Sequence, residues 1–215
     1  VGEGVQRLLA FLALRGQRER SFIAGTLWPD CSEAQAHANL RATLSRLRRR
    51  DHVDIVDASR ASLRLRTTVK VDVHDLIRTA SGVLSGTPYS WWTAVRQLTG
   101  DQLLLGWYDD WVLHHREQMR QLCLHGLESI ADDQHKQGHY SAAVQAGLAS
   151  IAIEPLRESA HRQVIRAHLA AGNRGEAIRQ YESLRRLLLT EMGAEPSDEA
   201  VDLFSDPVRR SNTAG

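Results

Sequence analysis

Only two cysteines, Cys31 and Cys123, occur in 215 residues, and their separation excludes a disulfide scaffold and a cysteine-based metal site. A reducing compartment, the cytoplasm, is the expected setting. The longest apolar stretches, such as Leu8 to Leu14, fall far short of the roughly 20 residues that a bilayer span needs, so no membrane partner is expected. The chain also opens without a charged-then-apolar leader, which gives secretion no support. The GxSxG nucleophile elbow, the phosphate-cradling GxxxxGK[ST] loop and the GxGxxG dinucleotide turn are all missing.

The histidines do not fill that gap. His114 and His115 are adjacent and diverge on a helix, whereas a paired metal site needs the i,i+4 interval. His135 and His139 have that interval, but Gly138 interrupts the helix between them. The carboxylate pairs Asp109–Asp110 and Asp132–Asp133 are likewise neighbours and not a facing acid and base. Cys31 stands at a helix start, where negative charge is favoured, but no base accompanies it. The expectation is a protein that is not an enzyme and holds neither metal nor cofactor.

The chain does have enough apolar surface to fold, with 42% hydrophobic and 25% charged residues. Its net charge of +1 conceals a partition. Residues 1–70 carry 13 Lys+Arg against 7 Asp+Glu, or +6, and residues 71–215 carry 14 against 19, or −5. A basic module followed by an acidic one is the natural reading.

In the basic part, Val5, Leu8, Leu9 and Leu12 recur at helical spacing and Gly16 ends the run. Phe22, Ile23 and Leu27 make a second, short helix that stops before Pro29. Ser32 and Gln35 form a capping-box pattern for a third, in which Ala36, Leu40, Leu44 and Leu47 share one stripe. Gln35, Ala38, Ala42, Ser45 and Arg49 point the other way, with Arg41 and Arg46 at the border of that face. A small, polar, basic surface suits a helix entering the DNA major groove, where arginine meets guanine edges or phosphates. Two extended segments follow around the turn Ala58–Arg60, and in the second Leu63 and Leu65 alternate with Ser62, Arg64 and Arg66. Three helices and a basic hairpin predict a winged helix-turn-helix. The expected DNA-binding set is Arg41, Ser45, Arg46 and Arg49 on the helix and Arg60, Arg64 and Arg66 on the hairpin.

The acidic part reads as helical. A segment over HDLIRTASGVL breaks at Gly86 and Pro88, another starts near Tyr89, and a third runs from about Trp107 through Asp133. Four tryptophans within 21 residues (Trp91, Trp92, Trp107 and Trp111) supply either core packing or a peptide-binding surface. Gly138 and Gly172 lie 34 residues apart, Ala143 returns as Ala177, and Gly147 takes the position of Tyr181. The units close at Pro155 and Pro196. That period is the helix-turn-helix unit of tetratricopeptide repeats, and SAHRQVIRAHLAAG supplies the intervening helix with Val164, Ile165 and Leu169 inward.

The string LWPDCSEAQAHANLRATLSRLRR resembles the DNA-binding domain of the actinobacterial antibiotic regulatory protein (SARP) family. VDVHDL, GDQLLLGWYDDWV and AAGNRGEAIRQYESLRRLLLTEMGAEPSDE resemble the bacterial transcriptional activation domain that follows it there. The resemblance covers nearly the whole chain. It implies an activator of a secondary-metabolite gene cluster that binds direct repeats in promoter DNA, contacts RNA polymerase and can form a homodimer. It carries Arg41, Ser45 and Arg46 over as helix contacts and Arg64 as a wing contact, and gives Trp28 and Pro29 a packing role. Family members begin with a small β sheet ahead of the first helix, and this sequence starts almost at that helix. The expected fold is therefore mainly α: a winged helix-turn-helix lacking most of its N-terminal β layer over residues 1–70, a tetratricopeptide-like helical domain over 71–205, and a flexible tail over 206–215. A protein-interaction module whose winged helix does not bind DNA is the alternative.

Overall fold

A computed structural model describes residues 2–50 and 55–204, without the side chain of residue 50. The expected tail and the start of the first extended segment lie outside the described residues. The chain divides into two compact units, Val1–Asp75 and Leu76–Gly215.

The first unit contains α1 (Glu3–Arg15), β1 (Arg18–Glu19), α2 (Arg20–Leu27), α3 (Glu33–Arg50), β2 (Val56–Ala58), β3 (Ser62–Leu65) and the first turn of α4 (Asp72–Leu84). α1 buries Val5, Leu8, Phe11 and Leu12, an i, i+3, i+6, i+7 stripe, and turns out at Gly16 with φ +66°. Those side chains meet Ile23, Ala24 and Leu27 of α2, the buried stripe of α3, and Leu63 of β3. Full burial of side chains such as Leu8 and Phe11 is worth about 1.5–3 kcal/mol each. Phe22, grouped with the inward side by spacing, is 49% exposed, with its ring 6.2 Å from that of Phe11. Ala24 takes the inward position because a helix this short turns only one narrow stripe to the core.

The capping box at the start of α3 is half formed. The Gln35 amide donates to Ser32 Oγ at 3.4 Å, but the Gln35 side chain donates forward to Asn39 Oδ1 at 3.2 Å and not back to the cap. The hairpin is present, with Val56 opposite Leu65 and Ala58 opposite Leu63. A third strand joins it: β1 pairs antiparallel with β3, Arg18 opposite Leu63 and Glu19 opposite Ser62, giving the order β1-β3-β2.

The second unit holds the rest of α4 and α5 (Trp91–Leu98), α6 (Asp110–Lys136), α7 (Tyr140–Ile153), α8 (Glu158–Ala170), α9 (Arg174–Met192) and a short α10 (Asp198–Val201) followed by a 3-10 turn, Asp202–Phe204. α6 starts at Asp110, three residues after the expected Trp107. Leu104 and Gly106 take left-handed φ values of +48° and +84° and hold the chain out of helix until Asp109. Each helix from α6 to α9 packs on the next through connections of three or four residues, which makes neighbours antiparallel.

The 34-residue period has a geometric counterpart. Gly138 and Gly172 have φ +78° and +76°, and the amides that follow, His139 and Asn173, reach back to Gln134 and His168 carbonyls at 2.9 and 2.8 Å. Ala143 and Ala177 are both buried. The correspondence lapses at the end. α7 stops at Ile153, but α9 continues to Met192, five residues past the equivalent position, before Gly193 turns at φ +64°. Among the tryptophans, Trp111 is buried, Trp91 packs against the core of Leu98, Leu127 and Ile130, and Trp92 is half exposed with its ring edge-on to Trp91.

Candidate nucleic-acid interface

α3 is amphipathic in the strict sense. Ala36, Leu40, Thr43, Leu44 and Leu47 are buried, and Arg41, Ala42, Arg46, Arg48 and Arg49 are exposed, with Ser45 between. The small residues leave the backbone open to close approach. Arg41 and Arg46 do not share a flank, since five residues turn a helix by about 140° beyond a full turn.

Three grooves of the first unit record that split. One of about 410 Å³ lies between α3 and the hairpin and is lined by Arg20, His37, Leu40, Arg41, Ala58, Ser59 and Arg60. Its neighbour, about 380 Å³, lies between α2 and α3 and is lined by Arg20, Arg41, Leu44, Ser45, Arg48 and Arg49. The two share Arg20 and Arg41. Arg46 lines a third groove of about 750 Å³, on the α1 side, with Arg7, Trp28 and Arg49. The structure thus brings Arg41, Ser45, Arg49 and Arg60 of the expected set onto two adjoining basic grooves and puts Arg46 elsewhere.

The hairpin tip is tightly held. Ser59 Oγ accepts from the amides of Ala61 and Ser62 at 3.2 and 2.9 Å, and the Ser59 amide donates to the Ser62 carbonyl at 3.0 Å. Arg60 projects from this turn into solvent. Arg64 is exposed but engaged: its Nε and Nη2 both donate to Asp57 Oδ2, at 2.9 and 2.7 Å, across the hairpin. Arg66 is exposed just past β3, its amide on the Ile55 carbonyl at 3.0 Å.

Sequence reasoning missed Arg20, which sits where α2 leaves β1. Its amide donates to the Ala61 carbonyl and its Nε to the Ser59 carbonyl, both at 2.9 Å, tying the start of α2 to the hairpin turn. The partner lies 39 residues away, so no local pattern marks it.

Charge pairing separates this surface from the second unit. There, arginines meet carboxylates both within and between elements. Arg157 grips Glu128 bidentately at 2.7 and 2.8 Å, with Ser159 also donating to that carboxylate. Arg166 donates to Asp132 at 2.8 Å, Arg185 to Glu195 at 2.7 Å, and Arg120 bridges Glu117 and Glu154. Burial disfavours the Glu128 charge, but the Arg157 and Ser159 bonds outweigh it and hold the carboxyl below its ordinary range. In the first unit, Arg41, Arg46, Arg48, Arg49 and Arg60 form no ion pair among the described residues, and His37 only faces Glu33 at 3.9 Å.

Other chemistry finds no constellation. No cluster of three metal-ligating side chains exists among the described residues, and no described helix is long and apolar enough to cross a membrane. His139 Nδ1 contacts Gln134 Oε1 at 3.3 Å, and the His135 ring lies 5.4 Å from that of Tyr140. Cys31 accepts a weak bond from Asn39 at 3.8 Å. Burial pushes the Cys123 thiol up to about 11, which keeps it protonated and inert.

Comparison with known proteins adds two findings. Residues 56–206 match the family described as bacterial transcriptional activator domain. The chain is also similar in structure to Mycobacterium tuberculosis EmbR, solved in complex with a low-affinity phosphopeptide. That likeness has a TM-score of 0.61 at 18% identity and covers 98% of this chain and 60% of that one. At this identity the likeness is one of fold, and the chain spans under two thirds of the EmbR chain. Comparison with curated proteins gave no match.

Proposed function

The chain belongs to the bacterial transcriptional activator domain family, and from that premise we propose that it is a promoter-binding activator. In this reading the first unit is a winged helix-turn-helix whose α3 enters the major groove and whose hairpin lies along the neighbouring backbone. The second unit is a tetratricopeptide-like stack that recruits RNA polymerase and supports a homodimer on direct repeats. The controlled genes form a secondary-metabolite cluster.

The observation that carries the DNA reading is the pair of adjoining grooves sharing Arg20 and Arg41, whose lining α3 and hairpin arginines form no ion pair among the described residues. Phosphate binding draws its free energy from releasing counterions. An arginine without a carboxylate partner contributes fully to that release, and a paired one largely does not. With Arg20, Arg41, Arg48, Arg49 and Arg60 on phosphate, log affinity against log salt should fall with a slope of about −4 to −5. Arg41→Ala should reduce the slope by about one if it meets phosphate, or relax base preference at one position if it meets guanine. Arg46→Ala, on the other flank, should do less. A footprint selected from genomic DNA followed by a salt titration tests this. Equal affinity, slope and sequence preference for wild type and Arg41→Ala would defeat the assignment.

A further inference from the structure

Arg41 of α3 and Arg60 of the hairpin line one groove, yet among the described residues no hydrogen bond joins α3 to the hairpin directly. The polar links to the hairpin turn come instead from the segment that leads into α2. The Arg20 amide donates to the Ala61 carbonyl and Arg20 Nε to the Ser59 carbonyl, both at 2.9 Å, and Gln17 Nε2 donates to Ser62 Oγ at 3.0 Å. Between these two side chains, Arg18 and Glu19 pair with Leu63 and Ser62. α2 then packs along α3. The placement of the hairpin turn against α3 therefore passes through Arg20, the first residue of α2.

The Arg20 side chain is half-buried, and its guanidinium has two ends. Nε is engaged by Ser59, whereas Nη1 and Nη2 make no hydrogen bond or ion pair among the described residues. Those nitrogens belong to a side chain that lines both basic grooves together with Arg41. A guanidinium is a planar fork of donors, so it can hold a carbonyl through Nε and an anion through Nη at the same time. A lysine ammonium in its place is a point charge on a flexible stem and keeps no such fixed fork. The helix dipole disfavours a cation at this position, and no acidic residue in the first turn of α2 offsets it. An anion from outside would.

We infer that one duplex phosphate sits at the seam of the two grooves, between Arg20 Nη and Arg41, and that Arg20 couples this phosphate to the hairpin. Arg20 is then a positioning residue as well as a contact: by holding the Ser59 carbonyl it sets Arg60, the next residue of the turn, over a second phosphate. The inference rests on the reading of the first unit as a promoter-binding module.

The test is a double-mutant cycle between Arg20 and Arg60 on the full chain, read as affinity and salt slope on a footprinted genomic fragment. Arg60→Ala alone should lower the slope by about one, and Arg20→Gln by about two with at least about tenfold weaker binding, because it removes both phosphates. Arg60→Ala added to Arg20→Gln should then change affinity less than about twofold. Arg20→Lys, which keeps the charge without the fork, should lose about one from the slope and also silence Arg60→Ala. In the DNA-free protein, Arg20→Gln should speed amide hydrogen exchange at Ser59 and Ser62. Additive losses from Arg20→Gln and Arg60→Ala, wild-type behaviour of Arg20→Lys, or unchanged exchange in Arg20→Gln would each overturn the coupling while leaving the promoter reading intact. A wild-type chain that selects no DNA overturns that reading, and the coupling with it.

Discussion

Gly147 offers the sharpest test of how the helices of the second unit pack. It lies in the middle of α7, where alanine would ordinarily be worth about 1 kcal/mol over glycine through backbone entropy. A Cβ added there would meet Val164 Cγ2 at 2.6 Å and the Ala160 carbonyl oxygen at 3.6 Å. Carbon atoms rest about 3.5–4.0 Å apart, so the methyl overlaps its neighbour by about 1 Å. Val164 is completely buried and β-branched, and its χ1 has little room to turn. Overpacking in such a place costs about 1–3 kcal/mol, and the overlap puts this site at the upper end. Gly147→Ala should therefore lower stability by about 2 kcal/mol net, or about 4–8 °C in melting temperature for a unit of this size. Gly82→Ala, where the new Cβ finds only Thr87 Cβ at 3.9 Å, should raise stability by about 0.5–1 kcal/mol. In a Val164→Ala background the penalty at Gly147 should vanish and the propensity gain reappear. Thermal and urea melting of these variants measure it. A stabilised Gly147→Ala, or a penalty that persists without Val164, refutes the close approach of α7 and α8.

Two further outcomes follow from single contacts. The His161 ring is 2% exposed, accepts from the Gln180 amide at Nδ1 (2.8 Å) and donates from Nε2 to the Pro155 carbonyl (2.9 Å). Burial holds it below the ordinary histidine value, so as pH falls through that value the unfolded chain takes the proton first, and stability present at neutral pH and above is lost. His161→Gln should flatten the fall in melting temperature between pH 7 and 5, and an unchanged slope would reject His161 as its source. At the hairpin, Asp57→Asn should release Arg64 and tighten promoter binding about three- to tenfold at low salt, at a stability cost below about 1 kcal/mol. Unchanged affinity in a mobility-shift titration would remove the hairpin from the DNA.

Much of this architecture is legible because it is periodic. The Leu40, Leu44 and Leu47 stripe announces which face of α3 is buried, and the recurrence of glycine at 138 and 172 announces two left-handed helix ends. What escapes the sequence depends on partners far along the chain. β1 is two exposed residues, Arg18 and Glu19, and exists because β3 arrives 43 residues later to pair with it. Arg20 follows from that pairing. The loop before α6 escapes for another reason: Trp107 and Tyr108 fall inside the helix expected from about Trp107, and the Arg116 bonds and the left-handed Leu104 hold them in a loop instead. The capping box at Ser32 shows the converse limit, because the motif is present and Asn39 competes for its glutamine.

If the chain binds promoter DNA as proposed, the count of basic residues does not decide which half does so, because the two halves hold nearly equal numbers of cations, 13 and 14. Placement of the carboxylates does. In the second unit Glu128, Glu154 and Asp132 are set across helix boundaries from Arg157, Arg120 and Arg166, and each pair ties two helices together. A phosphate approaching those arginines would have to displace a carboxylate already in hydrogen-bonded contact. Among the described residues of the first unit, Glu33 stands at the first turn of α3, where it complements the helix dipole, and Asp57 holds Arg64. Arg41, Arg48 and Arg49 form no ion pair with either among the described residues. The same residue type therefore works as a clamp in one unit and, in the proposed reading, as an anion receptor in the other, and the difference lies in whether the fold supplies the anion. Supplying one to the α3 surface, by Ser45→Glu, should abolish most of the salt-dependent binding while leaving melting within about 0.5 kcal/mol of wild type, because Ser45 is at the surface between Arg41 and Arg49. DNA affinity unaffected by that carboxylate would mean that the grooves around Arg41 are not where phosphate binds.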